Sequence, residues 1–193
     1  MGLLSLPDFL KPKAGMAMFI QSQHPKNSLT PSQKEIGDYL KMNWIGQAKM
    51  NGHRLQIHIT PKGQMTCFTR QGNLHTKKLP SELEASFLQY ADKDGILVLD
   101  CEWIKSLDQV WLFDVLKYQG RTMMFSSYKE RYGILKSIYA IAANIKLSRV
   151  LKKEKDCLKV LADPNEIIEG LVLKAWETKG WPDTAIVRCL KQK

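Results

Sequence analysis

The alternation of apolar and polar residues along the chain predicts more strand than helix. Apolar runs bounded by turn residues are typical of strands, and Pro61-Lys62-Gly63 is a turn sequence between two of them. Strands and helices do not alternate regularly, so the pattern predicts an α+β fold with largely antiparallel sheets. Strands are predicted at about 43–49, 53–60, 64–70, 96–103 and 110–116.

Two helices have start signals in the sequence. Thr30-Pro31-Ser32-Gln33 places proline at the first helical position and glutamine three residues after the cap, which predicts a helix to about Lys41. Ser127-Tyr128-Lys129-Glu130 is a capping box that predicts a helix to about Ile145, with an apolar stripe that packs on the core. A further short helix is predicted from Pro80 to Ala91.

Domain organisation follows from the same pattern. Residues 1–30 show little periodicity and are predicted to be an N-terminal arm, whereas residues 31–193 are predicted to form one domain. A chain of 193 residues with 44% hydrophobic residues can bury a substantial core.

The charge balance indicates a polyanionic partner. Lysine and arginine number 29 against 19 acidic residues, which gives a net charge of +10 and favours nucleic acid. A basic stretch follows the third predicted helix. A solvated helix face is its default interpretation, and contact with polynucleotide phosphates is the alternative. Its cations are Lys146, Arg149, Lys152, Lys153, Lys155 and Lys159.

The cysteines and the hydropathy pattern indicate a soluble intracellular protein. The four cysteines are widely separated and form no Cys-x-x-Cys pair, as expected for reduced thiols. No run of about 18 apolar residues predicts a membrane span. We therefore expect a cytoplasmic location, or a nuclear one in a eukaryotic or viral setting.

Candidate chemistry centres on Lys49-Met50-Asn51-Gly52-His53-Arg54. Alone, Asn-Gly between apolar runs is typical of a tight hairpin turn. Four further segments follow in order: Asp100-Cys101-Glu102, Phe113-Asp114, Glu169-Gly170-Leu171-Val172-Leu173-Lys174, and the pair Lys191 and Lys193. From about Gln47 to Lys193, the set resembles the covalent nucleotidyltransferase superfamily of ATP-dependent DNA ligases, RNA ligases and mRNA capping enzymes.

The resemblance implies a fold and a nucleophile. The expected fold is the nucleotidyltransferase (ATP-grasp-like DNA ligase adenylation) fold, in which two largely antiparallel sheets flanked by helices enclose the nucleotide. Lys49 occupies the position of the lysine that attacks the α-phosphate. A lysine is nucleophilic only when neutral, so its pKa of about 10.4 must be lowered by desolvation or by neighbouring cations. No C-terminal OB barrel is expected after Lys193, and a partner protein is one possible replacement.

The resemblance also implies contacts with the nucleotide. Phe113 resembles the aromatic residue that stacks on the purine, and Gln47 stands where DNA ligases usually have a glutamate that reads the adenine amino group. A glutamine carbonyl oxygen accepts the same hydrogen bond, so ATP is the expected nucleotide. The other implied contacts are Arg54, Arg70, Glu102, Lys191 and Lys193, with Arg70 in a Thr-Arg-Gln-Gly segment that looks like the family's Ser-Arg-Asn-Gly.

Glu102 and Glu169 match the motif glutamates that contact the ribose or help to hold a metal. Magnesium prefers few carboxylates together with phosphate oxygens and water, so two carboxylates suffice for Mg²⁺ or Mn²⁺.

Three positions depart from the family pattern. Asn51 replaces the usual aspartate, although asparagine also tolerates a left-handed turn conformation. Cys101 stands where DNA ligases usually have glycine. In the last motif, Lys191 and Lys193 fit Lys-x-Lys, but Arg188 could be one member if the strand register shifts.

The predicted function is an ATP-dependent polynucleotide ligase. Nicked DNA is favoured as the substrate because the motif keeps the DNA-type Arg54. A DNA ligase of this family is expected to act in DNA repair or replication. RNA ligase is the alternative within the superfamily, suggested by Asn51. A catalytically degenerate ligase fold that binds nucleic-acid ends is the alternative from another class. The oligomeric state stays open.

Overall fold

The computed structural model describes residues 19–20, 29–139, 142–163, 165–180 and 184–189. Its strands are β1 Trp44–Met50, β2 His53–Ile59, β3 Met65–Thr69, β4 Leu97–Ile104, β5 Gln109–Tyr118, β6 Arg121–Thr122, β7 Ile145–Leu147, β8 Ile168–Ala175 and β9 Thr184–Arg188. Its α-helices are α1 Ile36–Lys41, α2 Ser81–Leu88, α3 Tyr128–Ile138 and α4 Glu154–Leu161. Short 3₁₀ turns cover Gln33–Glu35 and Lys105–Leu107.

The strands form two sheets. The small sheet has the order β1-β8-β9 and is antiparallel throughout. The large sheet has the order β3-β2-β4-β5-β6, also antiparallel, and β7 joins it by parallel pairing with β5. The predicted α+β class with two largely antiparallel sheets is therefore confirmed.

Each sheet buries one apolar face. Leu55, Ile57 and Ile59 alternate along β2 and are fully buried, and they share one hydrophobic core with Leu83 and Phe87 of α2. Behind the small sheet lies a second core to which α1, α4, β8 and β9 contribute. Its buried members are Ile36, Cys157, Leu161, Leu171, Leu173, Ala185 and Val187. The opposite faces carry Gln47 and Lys49 on β1 and Arg54 and Gln56 on β2, and Ile45 on the same face of β1 packs into the first core.

The connection between β1 and β2 is not a hairpin turn. Although only Asn51 and Gly52 separate the two strands, β1 belongs to the small sheet and β2 to the large one. The Asn51 N–H donates to the Ile167 carbonyl at 2.7 Å. Neither Asn51 nor Gly52 has a positive φ. A Cβ at Gly52 would lie 2.6 Å from the Trp103 carbonyl oxygen. Glycine is therefore needed for the close approach to β4, and not for a left-handed turn.

Two predicted helix boundaries are wrong. The first helical segment is capped by Ser32, whose N–H donates to the Glu35 carboxylate at 2.7 Å, so the signal at Thr30 lies two residues too early. The capping box at Ser127 is confirmed, but α3 ends at Ile138. Ile145, the predicted end of that helix, instead begins β7, because parallel pairing with Val110 satisfies its backbone within the large sheet.

Little of the N-terminal arm lies within the described residues. At Ile20, the backbone N–H donates to the Gln56 side chain at 2.9 Å, and its carbonyl accepts from the Gln56 amide at 2.8 Å. Those two bonds attach the segment to the polar face of the large sheet. Among the helices of the described residues, none is both long and apolar enough to cross a bilayer.

Candidate active site

Lys49 lies on the polar face of the small sheet. In β1, Ile45, Gln47 and Lys49 share one face, because successive side chains of a strand point to opposite sides. Lys49 pairs with Gly170 of β8, and Gly170 pairs with Arg188 of β9. A Cβ at Gly170 would overlap the Val187 carbonyl oxygen, so glycine lets β9 approach. The pairing places Arg188 on the same face as Lys49.

A β-bulge directs Glu169 towards Lys49. Between β1 and β8 the register shifts, so Lys49 pairs with Gly170 while Met50 pairs with Ile168, and Glu169 is left without a partner. Simple alternation would have placed Glu169 on the apolar face with Leu171. Instead its carboxylate forms an ion pair with the Lys49 Nζ, and its second oxygen lies 4.0 Å from Arg188.

The environment of Lys49 lowers the pKa of its amine. Burial is the largest cause, and the positive charges of Arg188, Arg70 and Arg54 lower it further, while Glu102 opposes them. The contact with Glu169 also favours the charged form, since an opposite charge stabilises the ammonium. A lowered pKa is the direction that a lysine nucleophile needs.

Glu102 reaches the site from β4, where it pairs with Arg54 of β2. Burial raises the pKa of the Glu102 carboxyl to about 7, although Arg54 and Lys49 pull it down. Near neutral pH this group is therefore divided between its protonated and ionised forms. It can exchange a proton or take part in metal binding without a large change in free energy.

A second bulge places Phe113 in the site. Asp100 pairs with Asp114 and Cys101 pairs with Leu112, so Phe113 is the extra residue of β5. Its ring lies 5.1 Å from the Arg54 guanidinium carbon. The Arg54 Nε–H donates to Asp100 at 2.9 Å, and a second guanidinium nitrogen contacts the other carboxylate oxygen. This two-point contact holds the guanidinium next to the aromatic ring.

Gln47 is buried, and both the nitrogen and the oxygen of its side-chain amide form hydrogen bonds. Its amide donates to the Ser148 carbonyl at 3.2 Å. Its carbonyl oxygen accepts from the Lys174 Nζ at 2.9 Å and lies 2.8 Å from the Tyr128 hydroxyl, whose single proton can go to this oxygen or to the Phe113 carbonyl at 2.6 Å. When Tyr128 donates to Gln47, both lone pairs of that oxygen are used; when Tyr128 donates to Phe113, one lone pair is left for an adenine amino group.

Several charged residues of this region were not among the predicted site residues. Lys174 lies 4.3 Å from the Tyr128 ring, and burial lowers its pKa to about 8. Buried Arg131 of α3 donates to both Asp114 oxygens, at 2.8 and 3.1 Å. The signal in the sequence was the presence of charges inside apolar strands, since such residues are rarely buried unless paired. Asp100, Asp114 and Lys174 are all charged residues within such apolar strands.

Of the remaining predicted site residues, Arg70 alone lies within the described part of the chain. Arg70 follows β3 and acts electrostatically on Lys49. Lys191 and Lys193 lie outside the described residues, so the last motif stays a prediction.

Two carboxylates suit a metal that is shared with phosphate. Within the described ranges, no group of three or more His, Cys, Asp and Glu residues could hold a metal by itself. Glu102 and Glu169 both act on the Lys49 amine from different sheets. The pair fits a hard cation such as Mg²⁺, which takes most of its ligands from phosphate and water.

The fold is that of a nucleotidyltransferase domain of the ATP-dependent ligase type. The RNA ligase family matches residues 42–193, and the chain belongs to that family. DNA ligase 1 of Saccharomyces cerevisiae is 26% identical over 127 residues, which are 62% of this chain and 16% of the yeast protein.

Solved structures share the fold at low sequence identity. The ligase domain of M. tuberculosis LigD has a TM-score of 0.54 at 19% identity, covering 75% of this chain and 53% of that domain. An archaeal ATP-dependent RNA ligase has a TM-score of 0.53 at 16% identity, covering 85% of this chain and 48% of that one. The chain thus spans about half of these two structures and about a sixth of yeast DNA ligase 1.

Proposed function

We propose that this chain is the adenylation domain of an ATP-dependent polynucleotide ligase that joins 5′-phosphate and 3′-hydroxyl ends through a lysyl-AMP intermediate. The observation that carries the proposal is the Lys49 amine, whose pKa is lowered by burial, which forms an ion pair with Glu169 of one sheet and which interacts electrostatically with Glu102 of the other. Nicked DNA is favoured as the substrate because Arg54 is retained, and DNA ligase 1 is among the relatives.

The first step follows from the position of Lys49. The neutral amine attacks the α-phosphorus of ATP, a P–N bond forms, and the bond to the pyrophosphate oxygen breaks. Glu169, in contact with Nζ, is the nearest base for the proton that the amine loses. A Mg²⁺ or Mn²⁺ ion held by Glu102 and Glu169 would neutralise charge on the phosphates. The AMP then passes to a 5′-phosphate, and a 3′-hydroxyl displaces it.

The side chains around Lys49 would position the nucleotide. Phe113 would stack on the purine and Arg54, held by Asp100, would contact the nucleotide from the same side. Gln47 would read the adenine amino group after Lys174 turns from its carbonyl oxygen, a change that a phosphate would favour by attracting the Lys174 ammonium. Arg70, Lys191 and Lys193 would contribute further positive charge to the phosphates.

The test is the intact mass of the protein before and after incubation with ATP and magnesium. The wild type should gain one AMP, pyrophosphate should reverse the gain, and Lys49→Ala should show none. Lys62→Ala is the matched control, because it removes an exposed lysine from the β2–β3 turn. Peptide mapping should locate the AMP on Lys49, and AMP on the buried Lys174 would contradict the proposed nucleophile. A gain with GTP instead of ATP would indicate a capping-type transferase.

RNA ligase is the alternative within the same mechanism, since the family that matches the chain is the RNA ligase family. Nicked duplexes built with DNA or RNA on either side of the break distinguish the two. Faster sealing of the all-DNA nick supports the DNA ligase, and faster sealing of an RNA-containing nick supports the alternative.

A binding module without chemistry is the second candidate function. It is favoured by the Gln47 carbonyl oxygen, for which Lys174 and the Tyr128 hydroxyl compete with a base. This hypothesis predicts salt-sensitive binding to nucleic acid that survives Lys49→Ala. It also predicts that no nucleotide becomes attached to the wild type, whether ATP or GTP is supplied.

A further inference from the structure

A basic groove lies outside the nucleotide site. It has a volume of about 470 Å³ and lies between α3, the segment after β7 and the end of β8. Four cations line it, and no carboxylate is among its lining residues. They are Lys129, Lys136, Arg149 and Lys152.

The helix side of the groove is built by spacing. Lys129, Gly133 and Lys136 of α3 lie at i, i+4 and i+7, so they share one helix face. A Cβ at Gly133 would meet no atom within 4 Å, so the space between the two lysines is open. Both lysine side chains project from exposed positions, where a flexible ligand can reach them.

The opposite side comes from Arg149 and Lys152, both exposed in the segment between β7 and α4. The Lys152 Nζ lies 4.6 Å from the centre of the Trp176 ring. Trp176 is only 9% exposed, so its ring orients the Lys152 ammonium and offers little face for stacking. The groove therefore suits phosphates and not bases.

Three of the four groove cations form no ion pair within the described residues, although Glu177 also acts electrostatically on Lys152. Lys129 forms an ion pair with Glu177 at 2.7 Å, with both side chains more than half exposed. Within the part of the chain that the structure describes, no carboxylate lies within ion-pair distance of Lys136, Arg149 or Lys152. The positive charges of the groove repel one another, and an anionic ligand would reduce that repulsion.

An aromatic layer separates this groove from the nucleotide site. The Tyr128 ring contacts Lys174 on the site side, and its centre lies 5.9 Å from that of Trp176 on the groove side. The Tyr132 ring lies 6.1 Å from Trp176, and its hydroxyl donates to the Ser148 carbonyl that also binds Gln47. The layer keeps the groove's cations away from Lys49.

We propose that the groove binds the sugar-phosphate backbone of the polynucleotide, away from the break that the nucleotide site would process. The proposal rests on the proposed polynucleotide substrate. Among the lining residues of the groove, neither aromatic ring offers an exposed face, so charge complementarity predicts contacts independent of base sequence. Phosphate contacts of this type supply most non-specific affinity. Arg149 and Lys152 of the basic stretch thereby gain a specific role, together with Lys129 and Lys136 of α3.

The test compares two double variants of equal charge change. Lys136→Met with Arg149→Met removes two groove cations but keeps apolar side chains. Lys62→Met with Lys93→Met removes two exposed lysines from loops beside the large sheet. Binding of a labelled oligonucleotide is measured by fluorescence anisotropy across a range of salt concentrations, and AMP attachment is measured by intact mass.

With a labelled nicked duplex, the groove variant should lose affinity by on the order of 60-fold at about 0.1 M salt, and its log–log salt slope should fall by about 1.8. AMP attachment should equal that of the wild type. A groove variant that binds like the wild type, or a control pair that loses as much, overturns the proposal. Absence of AMP in the wild type would overturn the proposed ligase chemistry alone, because the binding measurement does not depend on it.

Discussion

At the scale of single residues, the site depends on charges removed from water. The Lys49 amine and the Glu102 carboxyl are both shifted towards their neutral forms by burial. Asp100 and Asp114 are also buried, but each is paired with an arginine in a two-point contact. The paired groups give the site its shape, whereas the shifted groups are available for proton exchange.

The shift of Glu102 makes stability depend on pH. Its pKa is about 7 in the folded state against an ordinary value of 4.5, so the native state holds more protons between these values. Wild-type stability therefore falls as pH rises through this window. Glu102→Gln lacks the ionisation and should be more stable than the wild type by about 2 kcal/mol at about pH 8, with no gain below 4.5. Because the Glu102 side chain is partly exposed to solvent, this gain in stability is smaller than the full pKa shift would give.

Urea unfolding at several pH values measures this difference. Glu82→Gln, on the exposed side of α2, is the matched control and should show no comparable gain. A constant difference between Glu102→Gln and the wild type across the pH range would contradict the assigned ionisation.

At the scale of elements, two glycines show how close packing and open space differ. A Cβ at Gly52 would lie 2.6 Å from the Trp103 carbonyl oxygen and 2.7 Å from Ile104 Cδ1. Because the first of these atoms belongs to the backbone of β4, it cannot simply turn away. Gly133 of α3 has nothing within 4 Å of the corresponding position.

Substitution by alanine should therefore change the free energy of unfolding in opposite directions at Gly52 and at Gly133. Gly52→Ala should destabilise the protein by about 1–3 kcal/mol, because β2 must move from β4. Gly133→Ala should stabilise it by about 0.5–1 kcal/mol through the higher helix propensity of alanine. Chemical denaturation measures both, and a neutral Gly52→Ala would mean that β1 and β2 are connected with more freedom than the contacts allow.

At the scale of the whole molecule, the candidate site joins two sheets with separate apolar cores. Gln47, Lys49 and Lys174 come from the small sheet, while Arg54 and Glu102 come from the large one. A ligand that contacts both sets couples the two sheets. Binding to the folded state alone stabilises it by mass action.

An ATP analogue with a non-cleavable bridge between the α- and β-phosphorus atoms, added with magnesium, should therefore raise the melting temperature. At about 100 times the dissociation constant, the gain is about 2.7 kcal/mol, which for a chain of this length corresponds to a rise of about 5–10 °C. Lys49→Ala should keep most of the shift, because this binding is non-covalent, whereas Phe113→Ala should reduce it. A wild type that shows no shift would favour the binding module.

Much of the fold was predictable because it depends on local patterns. The alternation that predicts β2, β3, β4 and β5 follows from the two-residue period of a strand, and their antiparallel pairing agrees with short turns such as Pro61-Lys62-Gly63. The capping box at Ser127 is also a local feature, formed within four residues. The order of the motifs identified the superfamily in the same way.

What the sequence by itself determined is therefore the set of chemical groups: a lysine after an apolar strand, two glutamates, and the arginines and aromatic residue that accompany them. Tertiary structure decided how these groups meet. Bulges at Glu169 and Phe113 turn side chains against the simple alternation, and Gln47 meets Tyr128 across 81 positions of sequence. Such contacts depend on strand register and on the packing of separate elements, which no local period encodes.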